Sequence, residues 1–439
     1  GNDSFFDGDG ELQETSVFSQ QSTGIDLTGT LNASVWIGRT LMSMNTRAHY
    51  ETRSPFELSL LTPHIATNAP REQQVTNDQT IKQFEFGTDA ARSLSQDLAG
   101  KAIVLFFREG LPRTATRRVL DESGDQVSFR IAESNAVSTE VVGRLELDWT
   151  GMENHNIQLN IEAAYNSLAG SLYQTIDTGA GPIETDVPGS NTLVREYRGD
   201  FLLKDTWSLG SYELDYGLGT EVSEISQTGD AELVRHFLFL KPQAILTYAS
   251  GHGNQTRLRL AREVSQLNFD DFVSATVFED DDLALGNPNL HPDTTWVVET
   301  SHERRFGQSA TVKLTLFHHW ITDVLDLLPL SPTFEAPGNI GDGRRWGMEL
   351  QSTIPLDWLG LTGAKLDAEV SLQDSTVIDP VTGQDRVLSA EGGTNAYRTL
   401  VNQNRNNRYQ VRFDFRQDLQ ASQVAWGWTV AERDRRPLF

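Results

Sequence analysis

The run Arg144-Leu145-Glu146-Leu147-Asp148-Trp149 decides the fold of this chain, because Leu145, Leu147 and Trp149 fall on one side and Arg144, Glu146 and Asp148 on the other. Successive side chains of a strand point to opposite faces, so the segment is a ribbon with one apolar and one charged face. The same alternation returns in Ile157, Leu159, Ile161, Ala163 and Tyr165, interleaved with Gln158, Asn160 and Glu162. It returns again in Tyr212, Leu214, Tyr216 and Leu218 against Glu213 and Asp215. Many long ribbons of this kind, from about residue 140 almost to the end, imply a closed sheet with grease outside and water inside.

The expected fold class is therefore all-β: a large antiparallel transmembrane β-barrel of the outer-membrane type. Composition agrees. Hydrophobic residues make up 38% of the 439, and mean hydropathy is -0.39. A helical membrane protein is excluded, since no run approaches the ~20 apolar residues a spanning helix needs. A barrel is not, because only every second residue of a spanning strand faces lipid. With 36 basic and 61 acidic residues the net charge is -25, so no nucleic acid partner is expected. Cysteine is absent, which rules out disulfides, thiolate metal sites and a cysteine nucleophile. The chain opens on polar Gly1-Asn2-Asp3-Ser4 without a signal peptide and reads as a fragment of something longer.

About eighteen strand-like segments are expected, among them 11–19, 25–37, 81–88, 101–109, 126–133, 138–150 and 155–166. One weak helical candidate runs from Asp89 to Leu98. Several strands exceed ten residues, matching the ~9–11 of a tilted transmembrane strand. Tight connections such as 151–154, 208–211 and 306–309 alternate with long polar ones at 167–192, 267–293, 322–343 and 374–406. Outer-membrane barrels show this asymmetry between periplasmic turns and external loops. Aromatics such as Trp149, Tyr165, Trp207, Tyr212, Trp296, Trp320 and Trp346 fall near strand ends, where interfacial girdles place them.

One segment narrows the fold class to a family. Leu283-Ala284-Leu285-Gly286-Asn287-Pro288-Asn289-Leu290-His291-Pro292-Asp293, followed by a strand containing Glu299, resembles the Gly-Asn-Pro-x-Leu-x-Pro-Glu stretch of TonB-dependent outer-membrane receptors. Asp293 stands where the family usually has Glu. Downstream, Ile321-Thr322-Asp323-Val324-Leu325, a loop with Asn339-Ile340-Gly341 and a strand opening Gly347-Met348-Glu349 follow in the family's order. The motif stretch spans 283–354. Pro288 and Pro292 fix φ and Gly286 permits an unusual turn, so the segment re-enters the wall in a defined register; on this reading it is structural and not a ligand site.

The resemblance implies an outer-membrane receptor for energy-coupled uptake of a scarce nutrient: an iron chelate, a cobalamin-like compound, a glycan or a peptide. Its partners would be that small-molecule ligand, membrane lipid, and an energy-coupling periplasmic protein acting through a plug. No plug or coupling box is recognisable, so residues 1–439 read as a partial barrel domain, short of the family's about 22 strands. Phe439 does not fit the family's terminal aromatic, because Arg433, Arg435 and Pro437 would share its face. Two other classes fit the pattern: a passive porin-like or assembly barrel, and a soluble β-sandwich binding protein.

No catalytic residue, metal ligand or cofactor is expected. His318 and His319 are adjacent on a strand and point to opposite faces. The acidic stretch Asp280-Asp281-Asp282 with Glu279, Asp270 and Asp271 lacks EF-hand spacing and reads as a solvated loop. No Gly-x-Ser-x-Gly elbow occurs. Carboxylates two apart (Glu146 with Asp148, Glu213 with Asp215, Asp367 with Glu369) share faces with arginines such as Arg144, Arg257, Arg259, Arg412 and Arg416, which predicts a lumenal salt-bridge lattice rather than a glycosidase pair. Ligand-facing segments are expected as regions only: 167–192, 267–293, 322–343 and 374–406.

Overall fold

The computed structural model describes residues 1–6, 11–65, 69–251, 253–277, 282–284, 286–307, 309–331, 334–388 and 407–434. A short strand, β1 (Asn2–Phe6), precedes six long ones: β2 (Leu12–Ile37), β3 (Thr40–Pro63), β4 (Arg71–Ser93), β5 (Leu98–Leu120), β6 (Gln126–Trp149) and β7 (His155–Asp177). The two-residue β8 (Ile183–Glu184) leads into β9 (Asn191–Leu209), β10 (Tyr212–Gly229), β11 (Leu233–Gly251) and β12 (Asn254–Val264). A small hairpin, β13 (Ala275–Val277) with β14 (Asp282–Ala284), separates these from β15 (Thr294–Phe306) and β16 (Ala310–Thr322). A second hairpin, β17 (Leu325–Ser331) with β18 (Phe334–Asn339), precedes β19 (Gly343–Pro355) and β20 (Ala364–Ile378). After the two-residue β21 (Asp385–Arg386) come β22 (Tyr409–Leu419) and β23 (Val424–Arg433).

The long strands form one antiparallel wall in which each pairs with the next in sequence. Strand β1 covers only the loop-side end of β2, from Leu12 to Val17. Among the described residues, the rest of β2 pairs with β3 alone and β23 with β22 alone.

Alternation sorts the two faces. On the outward side Ile157, Leu159, Ile161 and Ala163 of β7 run between His155 and Tyr165. Exposed leucines continue the stripe on β11 and β12, with Leu238 at 68% and Leu258 at 49%. A contiguous apolar surface of this extent is lipid-facing. Trp149, Trp207 and Tyr212 rim it at the end with the tight turns. At the other end stand the paired rings of Tyr165 and Tyr197, with centroids 5.2 Å apart, and the cross-strand pair Trp296 and Trp320. One carboxylate lies on the outward face near the tight turns. Asp205 is held by His155 Nδ1 at 2.7 Å and by the Tyr216 hydroxyl at 2.8 Å, with Trp207 stacked on the His155 ring.

The strands are longer than the sequence pattern suggests. Segments 11–19 and 25–37 belong to one strand, as do 126–133 and 138–150. Strand β4 begins at Arg71 rather than near 81, and β7 runs through Asp177, taking in the first part of the expected loop 167–192. These extensions project beyond the lipid band, where both faces meet water or protein and alternation is not required. Pairing with β4 skips the positions around Pro55 of β3 and Pro112 of β5, which have no N–H to donate, while their registers with β2 and β6 run on unbroken. The helix expected over Asp89–Leu98 does not form. Residues through Ser93 complete β4, and a tight turn leads into β5 at Leu98. Its apparent helical period arises where a strand end, a turn and a strand start run together.

Apolar cores sit inside the loop-side half of the wall. Val75, Ala115, Ala132 and Leu172 face inward and bury Val187 of the loop that follows β8. Val194, Ile225 and Phe237 likewise enclose Phe272, Leu290 and Leu325. The loops therefore fold into the mouth of the wall instead of standing away from it.

Candidate functional site

The inward face carries a lattice of ion pairs that the strand register dictates. Arg144 of β6 donates from Nε to Glu162 of β7 at 2.7 Å, and Glu162 also accepts from Arg198 of β9 at 3.0 Å. Arg198 reaches Asp200 at 2.9 Å. Lys241 of β11 bonds both Asp200 and, at 2.9 Å, Glu221 of β10. Farther round, Arg259 of β12 meets Glu263 and, at 3.2 Å, Glu299 of β15. Glu299 in turn lies 3.4 Å from His319 of β16, which Arg345 of β19 approaches at 3.0 Å. A cavity of about 570 Å³ lies against this wall, lined by Arg144, Glu162, Arg198, Glu221, Lys241 and Arg259 among others.

Alternating sign lets an acidic chain line a water-filled lumen without self-repulsion. Exposed pairs such as Arg416 with Asp418 are screened by water and contribute little to stability. Arg198, with an 8% exposed side chain, depends far more on its carboxylates, because an unpaired buried charge is costly. Of the arginines expected in a salt-bridge lattice, Arg144, Arg259, Arg412 and Arg416 are in ion pairs, while Arg257 makes none among the described residues.

Above the lattice, residues 265–274 and 286–293 fold back over the inner wall. A short 3-10 turn, Phe269–Phe272, is capped by the Asn268 side chain and drives Phe272 into the core with Leu290. Burying each of these side chains stabilises the arrangement by about 1.5–3 kcal/mol. Gly286 permits the return, since a Cβ there would stand 2.3 Å from the Phe272 carbonyl oxygen. Gly170 on β7 serves the same approach from the wall side, facing the Val273 side chain at 2.5 Å from where its Cβ would be. Asn287 N donates to Asp271 O at 2.8 Å, and Arg235 donates to Pro288 O at 2.9 Å. The Gly-Asn-Pro motif is thus a structural clamp, and β15 starts directly after it at Thr294.

The clamp continues into the next loop. Asn287 Nδ2 donates to Pro337 O at 2.7 Å. Asn339 bonds His291 on both backbone sides and donates to Asp323 O at 2.9 Å. Behind it, Arg386 bonds the nearly fully buried Asp326 at 3.1 Å and Asp379 at 3.0 Å. Asp379 also accepts from the Thr382 and Val381 amides and the Thr382 hydroxyl. Those donors, the Thr382 amide first, hold its carboxyl below the usual aspartate range, with burial opposing them. Neither the paired hydrogen bonds between Asn339 and the His291 backbone nor the buried Arg386–Asp326 pair follows from the sequence pattern. The lone Asp in the apolar run Val324-Leu325-Asp326-Leu327-Leu328 was the available signal.

A second, polar cavity of about 840 Å³ opens between β3–β7 and loop residues 184–191. By alternation Arg113, Ser134 and Gln174 are on its inward face, whereas Asp78, Thr114, Glu133 and Asn135 border it from positions on the opposite face; Glu184, Asp186 and Asn191 border it from the 184–191 segment.

The regions singled out from sequence come together at this mouth. The described parts of these regions, 178–190, 265–274, 286–293, 323–328 and 336–342, pack onto one another or onto the inner wall, while 389–406 lie outside the described residues. Asp270 and Asp271 belong to the 3-10 turn; Glu279 to Asp281 fall outside the described residues. His318 and His319 lie on opposite faces, His318 outward against Trp320 at 4.1 Å and His319 inward beside Glu299.

The family model "TonB dependent receptor-like, beta-barrel" matches residues 16–435. Among solved structures, the siderophore receptor PiuA from Acinetobacter baumannii is 13% identical, with a TM-score of 0.55, covering 96% of this chain and 71% of PiuA. The copper transporter OprC is 11% identical with a TM-score of 0.57, covering 92% of this chain and 65% of OprC. FpvA of P. aeruginosa, solved with a heterologous pyoverdine and iron, is 10% identical with a TM-score of 0.56, covering 97% and 62%. The chain thus spans about two thirds of the length of these proteins, and at such identities the likeness is one of fold. No curated protein matches the sequence.

Proposed function

The chain belongs to the TonB-dependent receptor β-barrel family of the outer membrane, and on that premise we propose that it forms the ligand-capturing mouth and transmembrane wall of an energy-coupled nutrient receptor. The observation that carries this reading is the family match over nearly the whole wall, joined to an inward face that is charged and self-neutralised rather than greasy. In this account the inward-folded loops capture a small ligand from outside. A plug seated against the ion-pair lattice shifts when a periplasm-spanning protein delivers inner-membrane energy, and a path opens.

The ligand remains among iron or other metal chelates, cobalamin-like compounds, glycans and peptides.

Uptake of a panel of labelled chelates, glycans and peptides by cells expressing the full receptor tests the reading. Accumulation of one member of the panel that collapses on dissipating the proton-motive force supports it. Accumulation that survives the uncoupler would instead favour a passive channel.

A further inference from the structure

On the outward face the register sets four residues in a row across adjacent strands at the loop-side rim: Arg262 of β12 opposite Trp296 of β15, Trp296 opposite Trp320 of β16, and Trp320 opposite Arg344 of β19. Directly below runs Leu260, Val298, His318 and Trp346, and below that Leu258, Thr300, Leu316, Met348 and Leu372. The ring of His318 packs against Trp320 at 4.1 Å and Trp346 at 6.0 Å. A headgroup-height layer of cations and indoles therefore tops an aliphatic slope.

The two arginines flank the indoles without a carboxylate in an ion pair among the described residues. Arg344 is exposed and makes no ion pair among the described residues; Arg262 donates only to the Leu240 carbonyl, at 2.9 Å. Of the outward carboxylates beyond Arg344, Asp385 accepts from the hydroxyl of Thr376, which stands opposite Arg344, at 3.5 Å, and Asp374 in the second row is paired with Arg408 at 3.7 Å. Three strand spacings of ~4.8 Å separate Arg262 from Arg344, about 15 Å in all. Guanidinium groups are suited to phosphate oxygens, and indoles to the boundary between headgroup and acyl chain.

We propose that this row binds one phosphorylated, multiply acylated glycolipid of the outer leaflet. Arg262 and Arg344 take phosphates at the two ends of its sugar headgroup. Trp296, Trp320 and Trp346 pack under the sugars, and the leucine slope takes the acyl chains. The inference rests on the wall spanning the outer membrane with its long loops outward, and charge complementarity selects the occupant.

Native mass spectrometry of the full-length receptor in detergent tests this, with hexa-acylated bisphosphorylated lipid A, the same lipid stripped of phosphate, and phosphatidylglycerol as probes. The expected result is one retained lipid A per barrel, at least tenfold weaker retention for the dephosphorylated lipid and phosphatidylglycerol, and a tenfold or greater loss in the R262Q/R344Q double variant. Arg304 shares the outward face at the tight-turn end, so R304Q is expected to retain lipid A as the parent does. Heat-modifiable gel mobility confirms that each variant is folded. Equal retention of phosphatidylglycerol, equal retention of the dephosphorylated lipid, or an unaffected double variant would each overturn the proposal. Absence of any lipid adduct on the parent protein would overturn it together with the membrane orientation beneath it.

Discussion

Asn339 grips His291 by both backbone groups: its Oδ1 accepts from the His291 N–H at 3.1 Å and its Nδ2 donates to the His291 carbonyl at 2.9 Å. This reciprocal bond ties the end of the Gly-Asn-Pro segment to the hairpin loop that follows β16, and a further bond to Asp323 O closes the loop's base. Replacing Asn339 by Asp removes both donations, and each lost bond costs about 1 kcal/mol or more where the carbonyl is left without a partner. N339D is expected to raise amide exchange in 286–293 and 323–342 together while leaving the wall strands protected.

Gly170 makes a sharper test of the inward fold. A side chain there meets Val273, and overpacking of this kind costs about 1–3 kcal/mol. G170L is expected to expose segment 266–290 to limited proteolysis in detergent with no change in heat-modifiable mobility. A wild-type digestion pattern would mean the segment does not lie against β7.

The lumenal lattice predicts unequal costs for equal deletions of charge. Glu162→Leu leaves buried Arg198 short of a carboxylate and is expected to cost about 3 kcal/mol, toward the low end for a broken buried pair because Asp200 remains. Asp418→Asn breaks a pair that is 61% and 47% exposed and should leave the unfolding midpoint nearly unchanged. Denaturant unfolding of both variants in the same detergent checks the contrast.

Acid should loosen one loop selectively. Asp379 has a folded-state pKa below its unfolded one, owing first to the Thr382 amide and then to the Val381 amide, the Thr382 hydroxyl and Arg386. Its contribution is complete at neutral pH, above the ordinary aspartate value of about 3.9, and is lost as pH falls through the lower folded value. Exchange in 380–388 is therefore expected to rise below about pH 4, and Asp379→Asn to bring that looser state to pH 7 and abolish the dependence.

Much of this was legible in the chain because lipid imposes a strict rule. Every second residue of Ile157–Tyr165 or Tyr212–Leu218 must be apolar, so the transmembrane parts announced themselves, and the register then placed Glu162 beside Arg144 and Arg198. Beyond the membrane the rule lapses. The extensions Arg71–Thr80 and Ser167–Asp177 carry polar residues on both sides, so their strands were invisible to a period-two reading. The Gly-Asn-Pro segment could be read as structural, but its partners Phe272, Val273 and Asn339 lie far off in sequence or across a loop. Asp326 and Arg386, sixty positions apart, pair only because β20 returns beside β19.

Thiol scanning along β10 tests the central claim most directly, because the chain has no cysteine of its own. Single cysteines at 213, 214, 215 and 218, in the full receptor in outer membranes, would be challenged with a membrane-impermeant maleimide entering the lumen and with a lipid-partitioning one. The account requires strict alternation: positions 213 and 215 label from water, 214 and 218 from lipid. Equal labelling of all four from water would contradict a lipid-facing wall, and with it the receptor built upon it.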